Sequence, residues 1–222
     1  MPFLTIRTNV AVDDKTAETI KHGIGRAIEC LPGKSEETGQ DDRVRFTVAS
    51  DPMMGLAWEC EPVLRRLETH FEGRIEIRHA MSVLVRDVAD FVDPDDLALG
   101  LPEAIRRYLP RLAAIYLEEE PIGGMPIRMD GLALFDEHRP SSLPLCLAAE
   151  AARLADPDRA DAFLYALRRA TVAETRPTTQ LDELLAVVAA SGIDRDAFLA
   201  HFNGGTAMAA LSRDERFVRA RS

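Results

Sequence analysis

The feature that most restricts the fold of this chain is a change in hydrophobic periodicity near residue 80. Before it, apolar residues alternate over residues 44–50 and 74–80, as they do in β-strands, and a helical period over about 58–71 separates the two. Strands joined through a helix lie parallel in one sheet. Beyond residue 80 no segment alternates as a strand does. The sequence therefore predicts an α/β protein with a small parallel sheet followed by a block of helices.

The first 33 residues predict one further strand and helix. Residues 3–9 alternate as a strand, and helical spacing over about 15–30 follows two aspartates that can cap a helix. Pro32 and Gly33 then end this helix. We therefore expect a βαβαβ unit over residues 1–85.

The rest of the chain, residues 86–222, is predicted to be a helical domain. In the helix at 58–71, we expect Val63, Leu64, Leu67 and Phe71 to face the core. The predicted helices after the sheet are 102–118, 143–155, 158–173, 179–191, 194–202 and 205–216.

Charge and cysteine content restrict the function and the compartment. The formal net charge of −10 would repel a phosphate backbone, so we expect no nucleic-acid partner. The arginine doublets are predicted to lie on solvated helix faces; they are Arg65-Arg66, Arg106-Arg107 and Arg168-Arg169. No apolar run reaches the ~20 residues that span a bilayer, and the N-terminus lacks a signal-peptide pattern. Three cysteines far apart in sequence do not form a disulfide framework, so the cytoplasm is the expected compartment.

Three segments carry a family resemblance. Residues 48–67 read VASDPMMGLAWECEPVLRRL, residues 124–127 read GMPI, and residues 141–152 read SSLPLCLAAEAA. In order and spacing they resemble DsbA-like thioredoxin-fold proteins, especially the cytoplasmic branch that contains the protease adaptor SpxH. The resemblance implies a thioredoxin-like sheet over residues 1–85 and a DsbA-type helical domain over 86–222.

The active-site positions of that family are altered in this chain. Where the family has Cys-x-x-Cys at the start of a helix, this sequence has Met54 and Ala57. A thioether does not ionise and an alanine cannot resolve a mixed disulfide, so we expect no dithiol–disulfide exchange. The family's C-terminal strands, which carry a cis-proline, also have no counterpart. The resemblance therefore implies a degenerate site, formed by Asp51, Met54, Ala57, Trp58 and His79.

Two cysteines fall in the resembling part of the chain. Cys60 lies one turn beyond the thiol positions, and Cys146 lies at the entry to the helical domain. Free cysteines are usually buried, so we expect both to be packed. An enzyme that uses Cys60 as its single thiol is one alternative function.

The N-terminus carries a second resemblance. Residues 2–10 read PFLTIRTNV, and they are followed by a predicted helix and Gly33-Lys34. This pattern is similar to the first strand and helix of macrophage migration inhibitory factor and related tautomerases. The resemblance implies that Pro2 is a catalytic base and Lys34 a substrate-binding residue, acting on a small carbonyl compound.

Taken together, these features predict a non-redox thioredoxin-fold protein that binds a protein or peptide partner, as an adaptor or part of an assembly. The alternatives are an isomerase or tautomerase that uses Pro2 and a single-thiol oxidoreductase that uses Cys60. We expect no cofactor and no metal. A homo-oligomer is expected, and the edge of strand 44–50 should be covered by another chain, by strand 3–9 or by residues 205–222.

Overall fold

The structure is a computed structural model that describes residues 4–6 and 43–220. The predicted helix at 15–30 lies outside the described residues, as do Pro2 and Lys34. The described strands are β1 (Leu4–Ile6), β2 (Val44–Ser50) and β3 (Ile75–Met81). The described helices are α1 (Gly55–Glu59), α2 (Glu61–His70), α3 (Pro94–Leu97), α4 (Leu101–Gly123), α5 (Leu143–Ala155), α6 (Ala160–Arg168), α7 (Leu181–Ala190), α8 (Arg195–Asn203) and α9 (Thr206–Arg219).

The three strands form one sheet with β2 in the centre. Strands β2 and β3 are parallel, with Val44 opposite Ile75 and Ser50 opposite Met81. Strand β1 pairs with β2 in the antiparallel direction, with Ile6 opposite Phe46. The predicted fold class is confirmed, but the expectation that all strands are parallel is wrong for β1. Between β1 and β2 the chain is long enough to return in either direction.

Strand β1 covers one edge of β2. Its register places Leu4 opposite Val48. This pairing confirms one of the predicted ways of covering the edge, namely by the N-terminal strand.

Helix α2 forms the crossover between the two parallel strands. Leu64, Leu67 and Phe71 are buried, as predicted. Val63 is 38% exposed, so the expectation that it faces the core is wrong. The apolar stripe of this helix is therefore narrower than its sequence suggests.

The helical block follows the predicted order with different bounds. Helix α5 spans the predicted residues, whereas α4 continues five residues beyond its predicted end to Gly123. The predicted helix at 158–173 consists of a 3-10 turn (Pro157–Arg159), α6 and a π-helical turn (Arg169–Ala173). The core of this block is formed by buried side chains that include Ile105, Leu145, Phe163, Leu167, Leu184 and Phe198.

Helix α9 anchors the helical block to the sheet. The Asp214 carboxylate, 2% exposed, accepts a hydrogen bond from the Met81 backbone N–H at 3.0 Å and pairs with the Arg78 guanidinium. The Arg78 guanidinium also lies over the Phe217 ring, 5.6 Å from its centroid, within the limit of about 6 Å for cation–π contacts. The last helix of the chain thus fixes the end of β3, near the loop that follows β2.

Candidate functional site

Asp51 organises the loop that follows β2. Its carboxylate, 1% exposed, accepts hydrogen bonds from the Met53 N–H at 3.0 Å and the Leu84 N–H at 2.9 Å. The Ser142 hydroxyl donates to the same carboxylate at 2.6 Å, and the Cys146 thiol lies 3.4 Å from it. Burial raises the pKa of Asp51, and these hydrogen bonds oppose the rise. The loop is therefore held by a carboxylate that links it to the start of α5.

The helix after this loop is positioned by aromatic residues. Met54 is the N-cap residue of α1 and is partly exposed, whereas Ala57 is buried. Trp58 is 2% exposed, and its indole N–H donates to the Pro126 carbonyl at 3.2 Å. On the other side of the loop, the buried Tyr116 hydroxyl donates to the Met53 carbonyl. Both ends of α1 are thereby tied to the helical block.

These contacts bring together the three segments that carry the family resemblance. Asp51 contacts Ser142, and Trp58 contacts Pro126, across 91 and 68 residues of sequence. Asp51, Met54, Ala57 and Trp58, which the sequence analysis selected, therefore lie in one continuous stretch within this assembly. Neither Met54 nor Ala57, the two residues at the start of α1, carries a sulfhydryl group.

Neither of the two described cysteines, Cys60 and Cys146, supplies a thiolate at neutral pH. Cys60 is exposed at the junction of α1 and α2, so the expectation that it is packed is wrong. Desolvation still raises its pKa, with Glu59 and Glu61 adding to the rise and Arg168 opposing it. Cys146 is fully buried as predicted, and burial holds its pKa well above the usual range. Both thiols are therefore protonated at neutral pH.

Beside the loop lies a buried charge centre that the sequence analysis did not identify. The side chain of Arg168 is 0% exposed, so the expectation of a solvated face is wrong for this member of its doublet. Its guanidinium donates to Glu61 Oε1 at 2.5 Å and to Ser50 Oγ at 2.7 Å. It therefore joins the end of β2, the start of α2 and the end of α6. The sequence signal for this burial is helical spacing, because Arg168 follows the buried Leu164 by four residues and its exposed neighbour Arg169 does not.

His79 belongs to this charge centre. It lies on β3 opposite Val48 and is partly buried. Burial, with the positive charges of Arg168 and Arg65, lowers the pKa of His79 to about 3. The imidazole is therefore neutral at physiological pH. The structure thus places His79 beside Arg168, and the residue has no described bond to the loop at 51–58.

Helices α1 and α4 pack through two glycines. A Cβ atom added to Gly55 would lie 2.1 Å from Glu119 Oε2, and one added to Gly123 would lie 2.0 Å from the Glu59 carbonyl oxygen. Real Cβ atoms do not approach other atoms so closely, so each glycine admits a glutamate of the facing helix. The four-residue spacing of Gly55 with Glu59, and of Glu119 with Gly123, is the sequence signal for this contact.

Within the described ranges, 4–6 and 43–220, His, Cys, Asp and Glu side chains form no group of three that could hold a metal ion. In the same part of the chain, no helix has both the length and the apolar character needed to cross a membrane.

A central strand, a buried loop and a helix, tied to a helical block, form a thioredoxin-like architecture. A protein-family model described as Thioredoxin matches residues 48–220. The chain therefore belongs to this thioredoxin family.

Solved structures with the same fold include proteins of different activities. A candidate protein disulfide isomerase from Nitrosomonas europaea matches with a TM-score of 0.63 and 16% identity, over 80% of this chain and 79% of that one. The cytosolic disulfide reductase DsbM from Pseudomonas aeruginosa matches with a TM-score of 0.56 and 21% identity, over 80% and 79%. A 2-hydroxychromene-2-carboxylate isomerase matches with a TM-score of 0.52 and 14% identity, over 78% of each chain. At these identities the likeness establishes the fold. No curated protein matches the chain.

Proposed function

We propose that this protein is a non-redox member of its family that binds an extended protein or peptide segment at the surface around residues 51–58. The observation that carries the proposal is a contrast between two pairs of residues. One pair occupies the positions where the resembling family has cysteines, and the other pair holds the loop and α1 in place. Met54 and Ala57 stand where the resembling family has its two cysteines, while Asp51 and Trp58 keep their bonds to the helical block. A framework without its reactive groups can still bind, but it cannot exchange disulfides.

The partly exposed side chains of this stretch favour a flexible apolar ligand. Met54 and Leu56 are both partly exposed, on either side of the buried Gly55. Methionine is unbranched and polarisable, so it adapts its shape to different apolar partners. An adaptor role in the cytoplasm, comparable to that of the SpxH-like branch, agrees with these features and with the free cysteines.

Catalysis is tested first. The wild-type protein should not accelerate the reduction of insulin by dithiothreitol, because the two described thiols, Cys60 and Cys146, are protonated and do not pair with each other. Turnover that disappears in Cys60→Ser would instead support the single-thiol alternative. The combined change Met54→Cys and Ala57→Cys supplies the two sulfhydryl groups, but it should not restore full activity, because the family's cis-proline segment has no counterpart in this sequence.

Binding is tested with an unfolded probe. Fluorescence anisotropy would measure the affinity for a labelled, reduced and carboxymethylated protein. Met54→Asp should weaken binding about tenfold, because a carboxylate cannot be desolvated against an apolar segment. Met208→Asp is the matched control, since Met208 is an exposed methionine on α9, and it should leave the affinity unchanged. Equal loss in both variants would disprove the proposed location.

The second candidate function is an isomerase or tautomerase that uses Pro2 as its base; the fold of this chain also occurs in a 2-hydroxychromene-2-carboxylate isomerase. For the tautomerase hypothesis the mature chain must begin at Pro2, because methionine blocks the amine. Intact mass spectrometry decides this point. A retained Met1 would end the hypothesis, and a free Pro2 would justify an assay of phenylpyruvate tautomerisation with Pro2→Gly as control.

A further inference from the structure

Helix α4 has an apolar stripe that faces solvent beside α1. Ile115 and Ile122 are each more than half exposed. Their seven-residue spacing places them two turns apart on one face of the helix, about 10 Å along its axis. Glu119 lies between them, four residues after the first and three before the second. These three side chains therefore form one continuous stripe along α4.

The α4 stripe adjoins the surface around residues 51–58. A Cβ atom added to Gly55 would lie 2.1 Å from Glu119 Oε2, so α1 and α4 touch at this point. Met54 and Leu56, which flank this glycine, are both partly exposed. Single exposed apolar residues are common on protein surfaces, whereas adjoining ones on two elements mark an interaction surface. The apolar side chains of the two helices therefore form one surface that crosses their contact.

The charge around the α4 stripe is negative. Between residues 112 and 127 the sequence has three glutamates, at 118–120, and no basic residue. Glu118 is exposed and flanks both isoleucines, because it follows one by three residues and precedes the other by four. In the described part of the chain none of the three glutamates forms a salt bridge, and Arg111, the nearest basic residue before them, pairs with Asp96 at 3.6 Å. The C-terminal end of a helix adds partial negative charge, so this end of α4 attracts cations.

Charge and apolar exposure together decide between the possible occupants of the stripe. A second copy of the chain, packed symmetrically through the same face, would bring the two Glu118 carboxylates towards each other. An anionic lipid surface or a nucleic acid would be repelled for the same reason. A protein segment that combines apolar side chains with lysine or arginine would cover the two isoleucines and place its cations beside the glutamates.

We propose that the α4 stripe, with Glu118 beside it, binds a basic and apolar segment of another protein. This assignment rests on the proposed function, because it names the chemistry of the segment that is bound around residues 51–58. The two isoleucines supply apolar contact, and the glutamates select the charge of the partner. Exposed charge pairs add little affinity, but they discriminate between partners of opposite charge.

Three labelled peptides test the charge preference. They share one apolar sequence and carry lysine, serine or aspartate at the flanking positions, and fluorescence anisotropy measures their affinities. At low ionic strength the lysine peptide should bind about tenfold more tightly than the aspartate peptide. The difference should shrink at about 0.5 M salt, because salt screens exposed charges. Equal affinities of the lysine and aspartate peptides at low salt would overturn the proposal.

Variants of α4 test the location. Ile122→Asp should weaken binding of the lysine peptide about tenfold, because a carboxylate cannot be desolvated against an apolar segment. Glu118→Lys should weaken the lysine peptide about fivefold and leave the serine peptide unchanged. Leu117→Asp is the matched control, since Leu117 is exposed on the opposite side of the same helix, and it should leave all three affinities unchanged. Thermal unfolding of each variant separates lost binding from lost folding.

Met54→Asp distinguishes this assignment from the proposed function. If Met54→Asp weakens all three peptides while Ile122→Asp and Glu118→Lys change none of them, the surface around residues 51–58 binds and the role of α4 is overturned. If the two α4 variants weaken the lysine peptide and Met54→Asp does not, the stripe binds the segment and the proposed location around residues 51–58 is wrong. An effect of Leu117→Asp equal to that of Ile122→Asp would also overturn the assignment to this face of α4.

Discussion

At the scale of single residues, Arg168 shows how a buried charge depends on its partner. Arg168→Leu would remove the buried partner of Glu61, 2% exposed, and leave it only the more distant and half-exposed Arg65, at 3.5 Å. Breaking one partner of a buried ion pair typically costs about 3–5 kcal/mol. We expect a loss of that order in the free energy of unfolding, measured by urea denaturation at neutral pH.

The adjacent arginine supplies the control for this prediction. Arg169 is exposed and pairs with Glu174 at 2.9 Å, so Arg169→Leu should change the free energy of unfolding by less than about 1 kcal/mol. The double change Arg168→Leu with Glu61→Leu should recover part of the loss, because it removes both charges. A similar effect of Arg168→Leu and Arg169→Leu would contradict the buried-pair interpretation.

His79 makes a separate prediction about acid stability. Its pKa of about 3 in the folded chain lies below the unfolded value of about 6.5, so folding disfavours the charged form. Its contribution is therefore fully present above about pH 6.5 and is lost as the pH falls towards 3. Between about pH 7 and about pH 5, His79 should account for a loss of about 1–2 kcal/mol.

Urea denaturation at the two pH values measures this contribution. His79→Gln should reduce the loss, because glutamine does not titrate. His138→Gln, at an exposed histidine, should leave it unchanged. An undiminished loss in His79→Gln would show that the imidazole is not buried in the neutral form.

At the scale of elements, the glycine contacts between α1 and α4 reverse the usual effect of helix propensity. In an exposed helix, alanine is more favourable than glycine by about 1 kcal/mol. Here Gly55→Ala would place a Cβ atom 2.1 Å from Glu119 Oε2, and Gly123→Ala would place one 2.0 Å from a backbone oxygen. Both variants should destabilise the protein by about 1–3 kcal/mol, measured by chemical denaturation.

The two variants should differ in how they can be rescued. Gly55→Ala clashes with side-chain atoms, so adding Glu119→Ala should relieve part of its cost. Gly123→Ala clashes with the Glu59 backbone, so no single side-chain truncation should rescue it. Neutral or stabilising effects of both alanines would show that the helices do not approach this closely.

The accuracy of the sequence predictions varied with the kind of element. Helix α5 was predicted with its observed bounds because Pro144 and the following apolar residues mark its start clearly. Helix α4 was predicted too short because its end, Gly123-Gly124, resembles a turn and because Pro121 lies within its last turn. The ion pair of Arg168 with Glu61 and the exposure of Cys60 could not be predicted, since both depend on contacts between residues distant in sequence.

At the scale of the whole molecule, β1 completes the edge of the sheet. Thr5 lies opposite Thr47 in the antiparallel pair. Thr5→Pro would disrupt this pairing, because proline has no N–H and fits poorly in a paired strand. We expect faster hydrogen exchange along residues 44–50 and increased self-association, since an open edge favours strand addition.

Hydrogen exchange with mass spectrometry and light scattering would measure both effects. Thr5→Val is the matched comparison, because valine keeps the backbone N–H at the same position. Unchanged protection of residues 44–50 in Thr5→Pro would show that β1 does not cover this edge. The same light-scattering measurement on the wild type tests the predicted homo-oligomer.

The link between Asp51 and Ser142 also has a consequence for synthesis on the ribosome. The two residues are 91 positions apart, and their hydrogen bond closes the loop after β2. At about 5–20 residues per second, Asp51 emerges roughly 5–20 s before the hydroxyl that binds it. During that interval the Asp51 carboxylate, which is buried in the folded protein, stays exposed. The apolar segments of the nascent chain that pack against later helices are exposed as well. Pauses in translation between these two residues would therefore prolong the period in which the nascent protein is most exposed to chaperones and proteases.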